Sequence, residues 1–258
     1  MGMRGSALAT VLSQGIMLCY QLHHFYNKNN CIYFQKGIFK LRWNMISKMM
    51  SIGLSPFFMN LTACMVVIII TNSLTRYGGD VAVGAYGIIN RFLFFFVMIV
   101  IGLMQGMQPI VGYNYGAKLY NRAFKALKLS IMFATFISVI GFLLGEFFPD
   151  MITSMFTTDK QLTEIAASGM RIMMMAVPLL GIQVISTGFF QSIGYVKTAI
   201  FLSLLRQLIL IIPALLVFPL FFGLNGIWMS VPVSDTLATI ISVTILIYNY
   251  RQLKKLAN

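Results

Sequence analysis

Residues 81–109 read VAVGAYGIINRFLFFFVMIVIGLMQGMQP, and Arg91 is the one charged side chain in this stretch. An α-helix rises 1.5 Å per residue, so a helix of this length extends well beyond the hydrocarbon core of a bilayer, which is about 30 Å thick. One charge among so many apolar side chains leaves the mean hydropathy of the stretch high enough for a transmembrane helix. The stretch therefore predicts a membrane-spanning helix.

The composition of the whole chain agrees with this local prediction. Of 258 residues, 59% are hydrophobic and only 10% are charged, and the mean hydropathy is +0.84. Soluble domains average roughly 45–50% apolar and about 25% charged residues. A soluble core of this length cannot bury so much apolar surface. The composition excludes a soluble enzyme, a disordered chain and a disulfide scaffold, and it predicts an all-α integral membrane protein.

Apolar runs of spanning length recur along the sequence. Seven segments qualify, and they are named here A (6–26), B (49–74), C (81–109), D (124–148), E (161–190), F (198–222) and G (226–250). Segment A is the weakest, because Ser13, Gln14 and Gln21 interrupt it. The sequence thus predicts about seven transmembrane helices.

Basic residues alternate between the connections. Thirteen of the 19 lysines and arginines fall on the side of the A–B, C–D and E–F connections and the tail, and three fall on the other side. Basic residues are retained on the cytoplasmic side of a membrane. This places the tail and the A–B loop inside the cell and the start of the chain outside. The net charge of +13 is explained by the membrane, so no nucleic-acid partner is expected.

A short internal repeat suggests how the segments are grouped. A Gly-x-x-Gly turn precedes segment A at Gly2 and Gly5, and another precedes segment G at Gly223 and Gly226. Segment A then corresponds to the last helix of a preceding repeat, while B–G form a complete six-helix repeat. Many transporters are built from two such halves.

Five longer stretches resemble the multidrug and toxic compound extrusion (MATE) family, and most closely its MepA-like branch. They are GGDVAVGAYGIINR at 78–91, QGMQPIVGYNYGA at 105–117, FQSIGYVK at 190–197, LSLLRQ at 202–207 and FGLNGIWMSVPVSD at 222–235. The family has twelve helices in two lobes of six. The resemblance identifies this chain with the sixth helix (1–26), a cytoplasmic inter-lobe loop (27–48), the C-terminal six-helix lobe (49–250) and a cytoplasmic tail (251–258).

The resemblance also implies a function. We expect a bacterial plasma-membrane, multi-pass, secondary-active exporter that exchanges cationic amphipathic drugs for H⁺ or Na⁺ and needs no other cofactor. The chain is expected to be an N-terminally truncated fragment that requires the missing N-terminal lobe for transport. Family members often carry a coupling acid in the first helix, which this chain lacks, so the coupling ion stays unassigned.

Polar groups within the spans are the candidates for the substrate and ion pathway. Such groups must find partners in hydrocarbon, so they face other helices or a wet cavity. The uncharged candidates are Asn60, Asn90, Gln105, Gln108, Gln183 and Gln191. Helix-to-helix hydrogen bonding and a place in the cavity wall between the lobes are both open to them.

Three charged residues complete the candidate set, because intramembrane charge indicates function by default. Asp235 is the one acid deep inside a span, and it could pair with Arg91 or bind the coupling ion. Arg206 is expected to pack against loop carbonyls at the inner gate, with binding of an anionic substrate group as the alternative.

Two other functions are weighed against drug export. A lipid-linked precursor flippase of the same superfamily would need a strongly cationic cavity, and only Arg91, Arg171 and Arg206 lie in spans. A seven-helix receptor would fit the count of spans but not the Gly-x-x-Gly repeat. No catalytic residues and no metal-ligand spacing are recognised, so an enzyme is not expected.

Overall fold

The structure, a computed structural model, describes residues 2–26 and 43–257, and these are almost entirely helical. Eight α-helices follow one another along the described chain. They are α1 (Gly2–Tyr26), α2 (Trp43–Gly116), α3 (Tyr120–Phe147), α4 (Pro149–Ser154), α5 (Lys160–Met174), α6 (Val177–Ser192), α7 (Val196–Leu204) and α8 (Ile212–Ala257), with a π-helical segment at Leu205–Ile211 between the last two. The predicted inter-lobe loop lies outside the described residues as far as position 42. The chain is an all-α membrane protein, as its composition predicts.

The chain divides into two compact units, Met1–Ser51 and Ile52–Asn258. The first unit contains α1, which covers segment A and also Gly2 and Gly5, so the Gly-x-x-Gly turn predicted before segment A is part of the helix. With 25 residues, α1 is long enough to cross a bilayer, but it is less apolar than the helices that qualify as membrane spans. Its polar positions Ser13, Gln14 and Gln21 account for the difference.

Three helical stretches of the second unit are long and apolar enough to span a membrane: Asn60–Gly116, Tyr120–Phe147 and Val196–Asn249. The first has 57 residues and the last has 54. A straight helix of either length would measure about 80–85 Å at 1.5 Å per residue, more than twice the thickness of the hydrocarbon core. Each stretch consequently corresponds to two crossings, provided that the chain turns back within it.

Glycines divide both long stretches. Gly79 (φ 66°, ψ −167°) breaks α2 into a first arm (43–78) and a second arm (80–116), and Gly223 (φ 56°, ψ −131°) breaks α8 into arms 212–222 and 224–257. Positive φ with extended ψ is essentially restricted to glycine, which has no Cβ to clash with the backbone. Gly226 lies directly against the Phe218 carbonyl group. A contact between residues eight positions apart shows that α8 folds back at Gly223.

Segment E is not one straight helix. The structure replaces it with α5 and α6, which are bent by 52° across the break at 175–176. Pro178 lies in the first turn of α6, where its missing N–H costs no intrahelical hydrogen bond. If this bent pair counts as one span, the second unit contains six crossings that correspond to segments B–G.

Two apolar clusters form the core of this unit. One contains Ile70 and Leu74 from the first arm of α2, Ile89 from its second arm, and Trp228 from α8. Contributions from both arms of α2 to one cluster indicate that this helix also folds back at its glycine. The other cluster gathers apolar residues around Phe189 and Phe190 of α6, near the turns at 117–119 and 193–195. The end of the unit that carries these two turns, with Lys118, Arg122, Lys125, Lys128 and Lys197 close by in sequence, is called the basic end below.

Candidate functional site

The strongest polar contact between helices joins Arg206 to Asp235. Arg206 Nε donates to Asp235 Oδ1 at 2.6 Å, and Nη2 donates to Oδ2 at 3.2 Å. The Asp235 side chain is 3% exposed and that of Arg206 is 26% exposed. Two parallel hydrogen bonds between a guanidinium and a carboxylate make a strong and orientation-specific pair. The pair ties the two halves of the α7–α8 hairpin together.

The depths of the two residues explain how they meet. Arg206 lies ten residues after the start of α7 at the basic end, and Asp235 lies eleven residues after the start of the second arm of α8 at the opposite end. These separations correspond to about 15 Å and about 17 Å. Their sum is close to the thickness of the hydrocarbon core, about 30 Å, so both residues reach the same level near its middle.

The π-helical segment Leu205–Ile211 carries Arg206. A proline at position 213 cannot donate to the carbonyl group four residues earlier and would clash with it in a regular helix. The wider π turn before Pro213 relieves that conflict, and such segments are frequent at functional positions. This π-helical segment was not predicted from the sequence, although Pro213 was the available signal.

Two predictions about charged residues are wrong. Asp235 does not pair with Arg91, and Arg206 does not rest on loop carbonyls; the two deep charges of the α7–α8 hairpin pair with each other. Arg91 is exposed on the second arm of α2 and has no ion-pair partner in the described part of the chain. Its side of the helix faces away from the core, which prevents the pairing.

A second inter-helix contact involves two of the predicted glutamines. Gln108 Nε2 donates to Gln191 Oε1 at 3.1 Å, which joins the second arm of α2 to α6. Close approach is possible here because Met104 packs against Gly188, which has no side chain. Helix-to-helix hydrogen bonding, one of the two roles open to the uncharged candidates, is thus present at these two residues.

The other uncharged candidates are not brought together. Asn60, Asn90 and Gln105 are exposed on the two arms of α2. Gln183 is 3% exposed, and its Oε1 has no hydrogen-bond partner among the described residues.

The second arm of α8 also carries buried polar residues that were not among the predicted site residues. Ser230, Ser234 and Ser242 are buried on the second arm of α8 at positions separated by multiples of four. Ser230 Oγ donates to the Gly226 carbonyl at 2.7 Å. Side-chain oxygens of Gln207 and Ser234, the chain neighbours of the ion pair, are buried without a partner in the described structure. The three serines recur at intervals of four or eight residues, about one or two helical turns, and this spacing is the sequence signal that could have identified them.

Comparison with known proteins places these features in a family. Residues 56–216 match the MatE family. The multidrug export protein MepA of Staphylococcus aureus strain MSSA476 is 27% identical over 241 residues, which cover 93% of this chain and 53% of MepA. MepA of Staphylococcus haemolyticus strain JCSC1435 is 26% identical over 247 residues, covering 96% and 54%. The chain thus spans about half the length of the curated relatives it matches.

Solved structures show the same architecture. The MATE multidrug transporter DinF-BH is 35% identical and matches with a TM-score of 0.84 over 96% of this chain and 56% of that chain. An outward-facing MATE family transporter of the MOP superfamily matches with a TM-score of 0.87 at 18% identity, over 97% and 57% of the two chains, and this likeness concerns the fold alone.

Proposed function

Because this chain belongs to the MatE family, we propose that it forms one lobe of a secondary-active exporter that exchanges cationic, amphipathic drugs for H⁺ or Na⁺. The chain is a multi-pass protein of the bacterial plasma membrane. The observation that carries the proposal is the family match over residues 56–216. Its likeness to a MATE multidrug transporter, over 96% of its length, adds support.

The cavity wall is assigned to the polar side of the second arm of α2. Asn90, Arg91 and Gln105 are exposed there, although a helix of a single isolated bundle would gain nothing from polar groups facing lipid. Arg91 and Gln105 are 14 residues apart, close to four turns, so they lie on nearly the same side. In this proposal a second lobe, corresponding to the part of the relatives that the chain does not span, faces this surface across the drug cavity.

Asp235 serves as a structural brace rather than as the coupling acid. Both of its carboxylate oxygens accept hydrogen bonds from Arg206, and its side chain is almost fully buried. The remaining acids of the sequence are Asp80, Glu146, Asp150, Asp159 and Glu164, which lie near the ends of spans. The coupling ion is therefore proposed to bind outside this lobe.

The arginines disfavour the lipid-linked precursor flippase. Arg206 is neutralised by Asp235, and Arg171 Nη2 lies 3.6 Å from Asp150 Oδ2 in an exposed ion pair. Only Arg91 of the three span arginines then remains to bind a phosphate-bearing lipid, so a strongly cationic cavity is not formed in the described residues.

Ethidium efflux tests the proposal. The chain is expressed in bacteria that lack endogenous drug exporters, alone and together with the N-terminal half of S. aureus MepA, and each half alone is the control. We expect energised extrusion when both halves are present and loss of extrusion when the H⁺ or Na⁺ gradient is collapsed. Absence of extrusion from cells in which the two halves copurify from the membrane would contradict the proposal.

A further inference from the structure

A long apolar groove runs between the second arm of α2 and α3, on the surface of the unit. Its volume is about 820 Å³, and apolar side chains such as Ile99, Leu103, Ile110 and Leu129 line it. Gly102 and Gly106 also line the groove, and a Cβ added at either would meet no atom within 4 Å. The two glycines therefore open the groove without being required for close packing.

The α2 positions of the groove form one face of the helix. Ile99, Gly102, Gly106 and Ile110 follow one another at spacings of three and four residues, and they extend over about 17 Å of helix. Gln108, which bonds to α6, lies two residues beyond Gly106 and so points about 200° away from it. The groove is therefore separate from the Gln108–Gln191 contact.

One end of the groove is cationic. Arg122 and Lys125, from the first two turns of α3, line it at the basic end of the unit, and both are exposed. The sequence contains no acid between Asp80 and Glu146, and neither basic side chain has an ion-pair partner within the described ranges. Two uncompensated positive charges thus stand at the mouth of an apolar channel.

We propose that this groove binds an anionic phospholipid, with the phosphate group at Arg122 and Lys125 and an acyl chain along Gly102 and Gly106. Gly102 lies three turns from Arg91 on nearly the same side of the second arm of α2, so the groove adjoins the cavity wall proposed above. On its α3 side the groove is bounded by a helix long and apolar enough to span a membrane, so acyl chains are the apolar groups available to enter it there. Basic pockets between spanning helices on the cytoplasmic side are suited to phosphate head groups. A cationic drug would be repelled by the same two side chains, which favours the lipid over the proposed transport substrate.

Lipid retention by the purified full chain tests this proposal. The chain in neutral detergent is titrated with phosphatidylglycerol or with phosphatidylcholine of the same acyl chains, and bound lipid is counted by native mass spectrometry. One basic residue near a membrane surface contributes about 1 kcal/mol to binding of anionic lipid, so we expect Arg122→Gln to weaken phosphatidylglycerol binding about fivefold. Gly106→Leu fills the open groove and should weaken binding of the same lipid at least as much.

Matched variants control for charge and for folding. Lys197→Gln removes an exposed charge from the basic end outside the groove, and Gly87→Leu fills a free position elsewhere on the same helix. Both should bind phosphatidylglycerol as the unmodified chain does, and Arg122→Lys should retain binding. Equal retention of the two lipids overturns the proposal, as does unchanged binding by Gly106→Leu. Displacement of the lipid by millimolar inorganic phosphate would also overturn it, because the acyl chain would then contribute nothing.

Discussion

Arg206 and Asp235 lie 29 residues apart in the sequence, yet the Nε atom of one is 2.6 Å from the Oδ1 atom of the other. In a continuous helix the same two residues would be about 43 Å apart. Their contact is thus direct evidence that the α7–α8 stretch reverses at Gly223. It also neutralises two charges that would each be costly near the middle of a bilayer.

Removing one partner of this ion pair should destabilise the protein more than replacing both partners with apolar residues. Asp235→Asn is expected to lower the free energy of unfolding by about 3 kcal/mol, the low end for a buried pair, because the Arg206 side chain is 26% exposed rather than fully buried. The double variant Arg206→Met with Asp235→Leu should recover most of that loss. Unfolding in mixed detergent micelles measures both, and losses that simply add would contradict a direct interaction.

The crossing of α3 and α6 leaves no room for a methyl group added at Gly181. A Cβ at Gly181 would lie 2.8 Å from the Ala134 carbonyl carbon and 2.9 Å from its oxygen, and these backbone atoms cannot rotate away. Gly181→Ala is therefore expected to cost about 2 kcal/mol through overpacking. Gly102→Ala is the matched control, because its Cβ would enter open space. Equal stability of the two variants would show that the helices are not in close contact.

Any side chain at Gly79 should destabilise the turn there, because of the backbone conformation rather than because of a close contact. A Cβ there has free space around it, but φ of 66° with ψ of −167° is strained for every other residue. Gly79→Ala is expected to destabilise by about 2 kcal/mol. Gly87→Ala, at a helical position with equal space, should instead stabilise by about 0.5–1 kcal/mol. A thermal unfolding series compares the two, and a neutral Gly79→Ala would be incompatible with the reversal.

The hydrogen bond between Gln108 and Gln191 should be measurable as a coupling. Inter-helix hydrogen bonds in membrane proteins average roughly 0.6 kcal/mol by double-mutant cycles. We expect a coupling of that size between Gln108→Leu and Gln191→Leu. Gln105→Leu, an exposed glutamine on the same arm with no partner in the described structure, should show none with Gln191→Leu. A coupling between Gln105→Leu and Gln191→Leu instead would mean that a different side of this arm faces α6, which would contradict the hydrogen bond between Gln108 and Gln191.

The class of fold was predictable because it depends on bulk properties. An apolar fraction of 59% and runs of spanning length determine that the chain is helical and in the membrane. The glycine turns were partly visible, since Gly223 stands between segments F and G. Pro178, a proline within segment E, was the signal for the bend between α5 and α6, although the apolar run continues through it.

The partner of Asp235 shows where sequence reasoning ends. Arg91 lies eleven residues after the start of its arm, and Arg206 lies ten residues into α7, so both reach about the depth of Asp235. Depth therefore allows either pair. The choice is made by the rotation of each helix, which turns Arg91 outward and Arg206 toward α8. Rotation depends on packing against neighbouring helices, and periodicity within one helix does not reveal it.

Cysteine accessibility provides the most direct test of the central claim, that α2 and α8 each cross the membrane twice with the basic end inside the cell. Single cysteines replace Asp80, Asn225, Lys118 or Lys197 in a chain whose three natural cysteines have been changed to serine. A membrane-impermeant maleimide added to intact cells should label positions 80 and 225, while positions 118 and 197 should react only after permeabilisation. Labelling of positions 80 and 118 from the same side would contradict the account.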